Sequence, residues 1–234
     1  MVEVVQADVS DEEHLDRVLA EPRTGGRWDY IINLAAETAH GKSDEMYEKM
    51  VTAAGKLAEG AVAGGAKKFV HVSTAQVYKS DGARAAREDA PTAPWTVQAE
   101  YMLNSEAAVR GVAGAPFIIL RPATIYGPGD ATSGLMPRVV VAASYVAMGR
   151  AKMELLWEGG LKCNTVHVYD VARAIVFAAR KLEAGSTFNL ADAGNTDQGK
   201  LAAALGRLFG IETGFYGSIV SNVMRVRGRR RQSS

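Results

Sequence analysis

The chain alternates short apolar segments with longer amphipathic ones, and this alternation constrains its fold more than any other feature. Predicted strands at residues 30–34, 69–72 and 117–120 are separated by predicted helices at 43–63 and 95–110. Parallel strands need a crossover connection of about this length, usually a helix. Because the alternation continues along the chain, the pattern predicts an α/β fold: a mostly parallel sheet with helices on both faces.

Further segments extend the same pattern towards both ends. Ser10 and Glu13 form a capping-box pattern that predicts a helix start at Ser10. Asp170 is placed to cap a later helix. The remaining predicted strands are 2–6, 153–156, 165–168 and 186–190, and the remaining predicted helices are 10–20, 134–148, 170–181 and 198–209.

Hydroxyl, acidic or small side chains directly follow four of the predicted strands. They are Asp8, the pair Ala35 and Ala36, the pair Ser73 and Thr74, and residues 121–124. In an open α/β sheet, ligands bind just beyond the carboxyl ends of the strands. The four coincidences therefore predict one shared cleft. A plainer interpretation stays open, in which Ser73 and Thr74 only satisfy backbone groups at a turn.

Composition excludes several classes of function. The net charge is +1, so no overall field attracts nucleic acid or a membrane surface. No apolar run reaches the roughly 18 residues that a membrane helix needs. The single cysteine, Cys163, excludes an internal disulfide and suits a reducing compartment such as the cytoplasm. The spacing of His, Cys, Asp and Glu suggests no metal site.

Four motifs carry a family resemblance in their order and spacing. They are NLAAET at 33–38, VHVSTAQVY at 70–78, ILRPATIYGPGD at 119–130 and NTVHVYDVARA at 164–174. Together they resemble the extended short-chain dehydrogenase/reductase family, and within it the NAD-dependent epimerase/dehydratase group. The resemblance implies a Rossmann-like fold, NAD or NADP as cofactor, and a small-molecule substrate, either a sugar nucleotide or a sterol-like alcohol.

The resemblance also implies a domain plan and roles for single residues. Residues 1–150 would be part of the dinucleotide-binding domain, and residues 151–222 would hold the rest of the sheet and a small substrate lobe. Thr74 would hold a substrate hydroxyl, and Asn164 and His167 would begin the substrate lobe. Cofactor contacts are implied for Asp8, Val9, Leu34, Ala35, Ala36, Ser73, Arg121, Pro122, Ala123 and Thr124.

The catalytic pair departs from the family pattern. That pair is a tyrosine with a lysine one helical turn later, and counting back from Glu106 places it on Gln98 and Met102. Gln98 cannot act as an acid or base near neutrality, and Met102 brings no cation to the ribose. Tyr101 could serve as the acid in a shifted register. However, a tyrosine without a cation keeps a pKa near 10, which favours a packing role.

The start of the chain departs as well. The family opens with a strand, a glycine-rich turn and a helix, and this sequence begins at what looks like the third strand. We therefore expect a fold that lacks the first βαβ segment, with unpaired edges at 2–6 and 30–34 that lower stability and favour pairing with another chain, as in a homodimer. Two functions stay open: an NAD(P)-dependent oxidoreductase, or a pseudoenzyme of the same fold that acts as a binding or scaffold protein.

The end of the chain is basic. Residues 223–234 carry a run of arginines that could bind nucleic acid. A disordered, solvated tail is the favoured interpretation, because the neutral body offers no accompanying basic face.

Overall fold

A computed structural model describes residues 4–20, 25, 27–37, 42–79, 85–130, 135–149 and 152–223. The basic tail predicted for 223–234 lies outside the described residues except for its first position. In chain order the elements are α1 (Glu12–Leu19), β1 (Tyr30–Asn33), α2 (Asp44–Ala63), β2 (Lys68–Val72), a 3-10 turn (Ala75–Val77), α3 (Val97–Gly111), β3 (Phe117–Pro122), β4 (Thr124–Tyr126), α4 (Leu135–Gly149), β5 (Met153–Leu155), β6 (Thr165–His167), α5 (Val168–Lys181), β7 (Ser186–Leu190), α6 (Gln198–Phe209) and β8 (Thr213–Phe215).

The main sheet is parallel throughout and has the order β1-β2-β3-β7. Its register pairs Asn33 with His71, and Val72 with Leu120, so these strands end at the same edge. Two further parallel pairs form, β4 with β6 and β5 with β8. The predicted class, a mostly parallel Rossmann-like sheet with helices, is confirmed.

The chain divides into two compact units, each built from two segments. The first unit comprises Met1–Ala123 and Tyr169–Leu190, and it contains the main sheet. The second unit comprises Thr124–Val168 and Ala191–Ser234, and it contains the two smaller sheets.

The core of the first unit lies between the sheet and the helices α2 and α3. Phe69 of β2 is fully buried there with Leu57 of α2 and Val109 of α3. Alanines at 54, 58 and 61 complete the buried face of α2 and let it pack closely. Each large apolar side chain buried in this way contributes about 1.5–3 kcal/mol.

The second unit has its own core. Val139 and Ala143 of α4 pack with Met153 of β5 and Leu205 of α6. Gly210 ends α6 in the left-handed conformation, with φ of 64°, which glycine adopts without strain. In the described part of the chain, no helix has the length and apolar character that a bilayer crossing requires.

Three local predictions differ from the structure. Residues 4–8 form no strand, because a strand exists only where a neighbour pairs with it and no described strand does so. Asp11, not Ser10, caps α1 by accepting from the Glu13 and His14 amides, since the Ser10 hydroxyl instead donates to Asp8. Asp170 lies within the first turn of α5 and pairs with Arg173 at 2.9 Å.

Candidate active site

The carboxyl edge of the main sheet brings together the segments that follow β1, β2 and β3. Asn33, the last residue of β1, holds the segment that follows this strand. Its Oδ1 accepts from the backbone amide of Ala35 at 3.0 Å, and its Nδ2 donates to His71 Nδ1 at 3.2 Å. Leu34 and Ala35 are exposed at this edge. Small and exposed residues here allow a ligand to approach the backbone closely.

Ser73 follows β2 directly, and its hydroxyl is already engaged. Its Oγ donates to Glu106 Oε1 at 2.5 Å, and the residue is only 5% exposed. Glu106 reaches this point from the middle of α3. The Ser73 hydroxyl proton is therefore used inside the protein.

The Arg121 side chain is also hydrogen-bonded inside the protein. It makes two bonds to Glu106, and its Nη1 donates to the Tyr78 hydroxyl at 2.7 Å. Its guanidinium also lies 4.9 Å from the centre of the Tyr78 ring. Burial alone would lower the pKa of Arg121, but the bonds to Glu106 and Tyr78 more than offset this and raise it, so Arg121 stays charged.

These contacts continue to the last strand of the sheet. The Tyr78 hydroxyl donates to Asn189 Oδ1 at 2.7 Å, and Asn189 lies on β7. Glu88 Oε1 accepts from the backbone amide of Asn189 at 2.8 Å. We call Ser73, Tyr78, Glu106, Arg121 and Asn189 the Glu106 network. It ties the ends of β2, β3 and β7 to α3.

Thr74 is the hydroxyl at this edge whose proton is unused by any described contact. Its Oγ1 accepts from the Gln76 amide at 3.2 Å and caps the 3-10 turn, so the oxygen is fixed as an acceptor. The residue is half-buried. Because the acceptor bond leaves the hydroxyl hydrogen available, Thr74 can donate to an oxygen of a ligand at the end of β2.

The two positions of the family's catalytic pair lie on α3 and carry no acid or base. Gln98 Nε2 donates to the Tyr47 hydroxyl at 3.3 Å, and Met102 is half-buried. Tyr101 stacks on Tyr47 with ring centres 5.0 Å apart. Burial raises the pKa of Tyr101, and neighbouring carboxylates, led by Asp44, raise it further. This shift is opposite to the one that proton transfer near neutrality requires.

Asp8 and Val9 lie at the start of the described chain, before α1. Asp8 Oδ1 accepts from both the amide and the hydroxyl of Ser10, and these bonds lower the pKa of the exposed Asp8 carboxyl. A shallow hollow opens beside this carboxylate, lined by Gln6, Ala7, Asp8, His14 and Arg17. Val9 is half-buried.

Pro122, Ala123 and Thr124 continue from the end of β3. Pro122 is buried, whereas Ala123 and Thr124 are half-buried. The Ala123 amide donates to the Leu190 carbonyl at 2.8 Å, which holds the segment against β7.

The predicted substrate residues Asn164 and His167 belong to the second unit. The Asn164 carbonyl accepts from the Thr124 amide at 3.1 Å, and His167 meets the Tyr126 ring edge-on at 5.2 Å. Gly127 follows Tyr126 with φ of 127°, and a Cβ there would lie 2.8 Å from His167 Nε2. Among the residues that the structure covers, no three His, Cys, Asp or Glu side chains are grouped to hold a metal.

Sequence reasoning did not identify the Glu106 network. Tyr78, Glu106 and Asn189 are far apart in the chain, and no local pattern indicates that they meet. The one available signal is the charge of Glu106 on the packed face of α3, since an ionised side chain in such a place needs a buried partner.

The chain resembles known proteins in both sequence and structure. The sequence model of the NAD dependent epimerase/dehydratase family matches residues 1–191. A trifunctional UDP-glucose 4,6-dehydratase, 3,5-epimerase and reductase from Arabidopsis thaliana is 26% identical over 195 residues, which is 79% of this chain and 29% of that protein.

Two solved structures illustrate the shared fold. A double mutant of dTDP-glucose 4,6-dehydratase from Streptomyces venezuelae with NAD bound has a TM-score of 0.75 at 24% identity, over 93% of this chain and 67% of that one. UDP-glucose 4-epimerase from Thermus thermophilus in complex with NAD has a TM-score of 0.72 at 21% identity, over 91% and 70%. The chain therefore spans about two thirds of these enzymes, and less than a third of the plant protein.

Proposed function

The chain belongs to the NAD dependent epimerase/dehydratase family, and from this premise we propose that it is an oxidoreductase domain that binds NAD and a nucleotide sugar at the carboxyl edge of the main sheet. The observation that carries the proposal is the Thr74 hydroxyl, half-buried at the end of β2 with its proton unused by any described contact. The relatives that act on UDP- and dTDP-linked sugars support this choice of substrate.

The segments around Thr74 fit a cofactor of this kind. Leu34 and Ala35 present exposed backbone beyond β1, and Ala123 brings a small side chain beyond β3. The Glu106 network fixes the ends of β2 and β3 from inside the protein, so these segments are pre-positioned. When bound, NAD supplies the acceptor for a hydride from a sugar carbon. We infer that Ser73 and Arg121 act through the network and that Thr74 makes the direct contact.

Thr74 would orient the sugar hydroxyl whose carbon is oxidised. Oxidation releases one hydride from the carbon and one proton from that hydroxyl. Gln98 supplies no base and Met102 no cation, so in this proposal the proton leaves to water. We therefore expect turnover to be slow compared with an enzyme that has an activated tyrosine, because positioned acid–base catalysis contributes about 10²–10⁴-fold.

Calorimetric titration with NAD, followed by UDP-glucose or dTDP-glucose, tests the binding. Thr74→Val removes the hydroxyl, and Thr74→Ser keeps both the hydroxyl and the cap on the 3-10 turn. We expect Thr74→Val to weaken sugar-nucleotide binding by about tenfold, near 1.4 kcal/mol, with Thr74→Ser close to wild type. An absence of heat with NAD would count against the proposal.

A second candidate function is a pseudoenzyme that binds these ligands without turnover. Gln98 and Met102 favour it, as does the raised pKa of Tyr101. The double variant Gln98→Tyr/Met102→Lys separates the two candidates. Turnover of nucleotide sugars that occurs only in the double variant would support the pseudoenzyme. Measurable turnover in the wild type would support the oxidoreductase.

A further inference from the structure

A buried pair of hydrogen-bonded side chains joins β1 to β2 near the carboxyl edge of the main sheet. Asn33 and His71 are register partners on the two strands, so their side chains lie on the same face of the sheet. They are 4% and 1% exposed. Phe69, two residues before His71, stacks on its ring and belongs to the core formed with α2 and α3. The pair is therefore shielded from water.

The Ala35 backbone fixes the orientation of the Asn33 side-chain amide. The atom that accepts from the Ala35 N–H at 3.0 Å must be Oδ1, because the side-chain nitrogen of asparagine only donates. That nitrogen, Nδ2, lies 3.2 Å from His71 Nδ1 and donates to it. His71 Nδ1 therefore carries a lone pair, and the hydrogen of the neutral ring lies on Nε2.

This ring state leaves a buried polar atom unsatisfied. Among the described residues, His71 Nε2 has no hydrogen-bond partner. A buried donor in this condition is destabilising, so its presence calls for a reason. A hydrogen on Nδ1 instead would face the Nδ2 hydrogens of Asn33. If the Asn33 amide then turned over, Nδ2 would face the Ala35 N–H, which would lose its acceptor. The ring state that leaves Nε2 unsatisfied is thus the one that holds Ala35.

We propose that His71 is a positioning residue for the cofactor, because its Nδ1 lone pair holds the Asn33 amide in the one orientation that fixes the segment after β1. The role rests on the function proposed above, in which the backbone of Leu34 and Ala35 lies against NAD. Leu34 is 63% exposed, so packing of its side chain does little to hold this segment. The bond between Asn33 and the Ala35 amide holds it instead. His71 is buried and acts on the cofactor only through Asn33.

The surroundings of His71 keep its ring neutral. Burial lowers the pKa of His71 to about 4, although the Glu106 carboxylate on α3 acts in the opposite direction. Arg121 binds both oxygens of Glu106 and offsets that charge. Nδ1 therefore keeps its lone pair at pH 7, and the Asn33 amide keeps its orientation.

Nitrogen-15 NMR of the full chain tests the ring state without any ligand. A ring nitrogen that carries a hydrogen and one that carries a lone pair give well-separated signals. His71 is one of four histidines, and its signals are those that disappear in His71→Phe. We expect a hydrogen on Nε2 alone at pH 7. A hydrogen on Nδ1 would overturn the proposal.

Two variants separate positioning from stability. Asn33→Leu/His71→Phe replaces both partners by apolar groups of similar shape, which is nearly neutral for folding, but it removes the acceptor of the Ala35 amide. We expect calorimetry to show NAD binding weakened about tenfold, with a free energy of unfolding close to that of the wild type. In His71→Asn the new side-chain oxygen can replace Nδ1, while the lost ring atoms leave a cavity. We expect lower stability, but NAD affinity within about threefold of the wild type.

Phe69→Leu is the matched control, because Phe69 lies on the same strand and face. It should lower stability and leave NAD affinity unchanged. NAD affinity that follows stability across all these variants would show a merely structural role and overturn the proposal. A wild type that gives no heat with NAD would overturn the proposed function, and the positioning role with it. A wild type that binds NAD no better than the folded double variant would overturn the positioning role alone. If the double variant does not fold, the ring signals of the wild type decide.

Discussion

The guanidinium of Arg121 holds both oxygens of the Glu106 carboxylate, with Nε 2.8 Å from Oε1 and Nη2 2.6 Å from Oε2. The two residues are 5% and 1% exposed, so both charges are removed from water. Such a pair is favourable only when further hydrogen bonds satisfy the remaining groups. Ser73 and Tyr78 supply them, and the pair thereby joins α3 to the ends of β2 and β3.

Glu106→Gln should strongly destabilise the protein. Removing one partner leaves the charge of Arg121 buried and uncompensated, which costs about 3–5 kcal/mol. The free energy of unfolding from urea titration measures this loss. Glu45→Gln is the matched control, because Glu45 is exposed and pairs with Lys49 one helical turn away. The control should change stability by less than about 0.5 kcal/mol. Equal losses in the two variants would contradict the prediction.

His71 should make stability depend on pH. Burial lowers the pKa of His71 to about 4, from 6.5 for the ordinary group, although Glu106 acts in the opposite direction. Between these values the unfolded chain binds a proton that the folded chain does not. Stability is therefore fully present above about pH 6.5 and is lost as the pH falls towards 4, with a loss of about 2 kcal/mol at pH 5.

Urea titrations at pH 7.5 and pH 5, compared with His71→Gln, isolate this contribution from the carboxylates. The glutamine variant should lose less stability than the wild type between the two conditions. A difference of zero would show that His71 can be charged in the folded protein. The contact with Asn33 agrees with a neutral ring, since Nδ1 accepts the Asn33 amide hydrogen at 3.2 Å.

Tyr101 should not ionise near neutrality. Its pKa is raised above the ordinary value of 10.0, chiefly by burial. Titration of the tyrosinate absorbance in wild type and Tyr101→Phe gives the transition of this residue as a difference. We expect its midpoint above pH 10. A midpoint near neutrality would identify Tyr101 as an activated acid and restore the shifted-register mechanism.

Gly127→Ala should destabilise the second unit more than Gly129→Ala. Both glycines have positive φ, at 127° and 96°, so both variants carry backbone strain. A Cβ at position 127 would also meet His167 Nε2 at 2.8 Å and Val168 Cγ1 at 3.0 Å, whereas position 129 is open. We expect an excess of about 1–3 kcal/mol for Gly127→Ala. The melting temperature of Gly127→Ala should rise partly towards the wild-type value when His167→Ala is added. A melting temperature that does not rise in the double variant would contradict the steric clash.

Local patterns were sufficient to predict the sheet and the helices that cross between its strands. The predicted strand at 186–190 and the predicted helix at 198–209 coincide with β7 and α6. Hydrophobic periodicity is a property of neighbouring residues, so it can be read from the chain directly. The N-cap of α1 lies one residue later than predicted, because Ser10 and Asp11 are both good capping residues. The Ser10 hydroxyl instead donates to Asp8, which leaves Asp11 as the cap.

Long-range partners were not predictable in this way. Residues 2–6 have the composition of a strand. A strand forms only where another strand pairs with it, and β-propensity does not indicate whether such a partner strand is present. The Glu106 network depends on the meeting of Tyr78 and Asn189, which are 111 positions apart. The roles of Ser73 and Arg121 as cofactor contacts remain predictions, although the structure shows that the side chains of both are bound inside the protein.

The pairing of β3 with β7 has a consequence for how this protein can be divided. The first unit recruits Tyr169–Leu190 from beyond the second unit's first segment, so no single cleavage of the chain releases it whole. A fragment that stopped at Ala123 would lack β7 and its Asn189, so β3 would lose one of its two partner strands. The first unit should fold from that fragment only when a peptide spanning residues 169–190 is supplied separately, so this unit is suited to experiments in which a protein is split and reassembled.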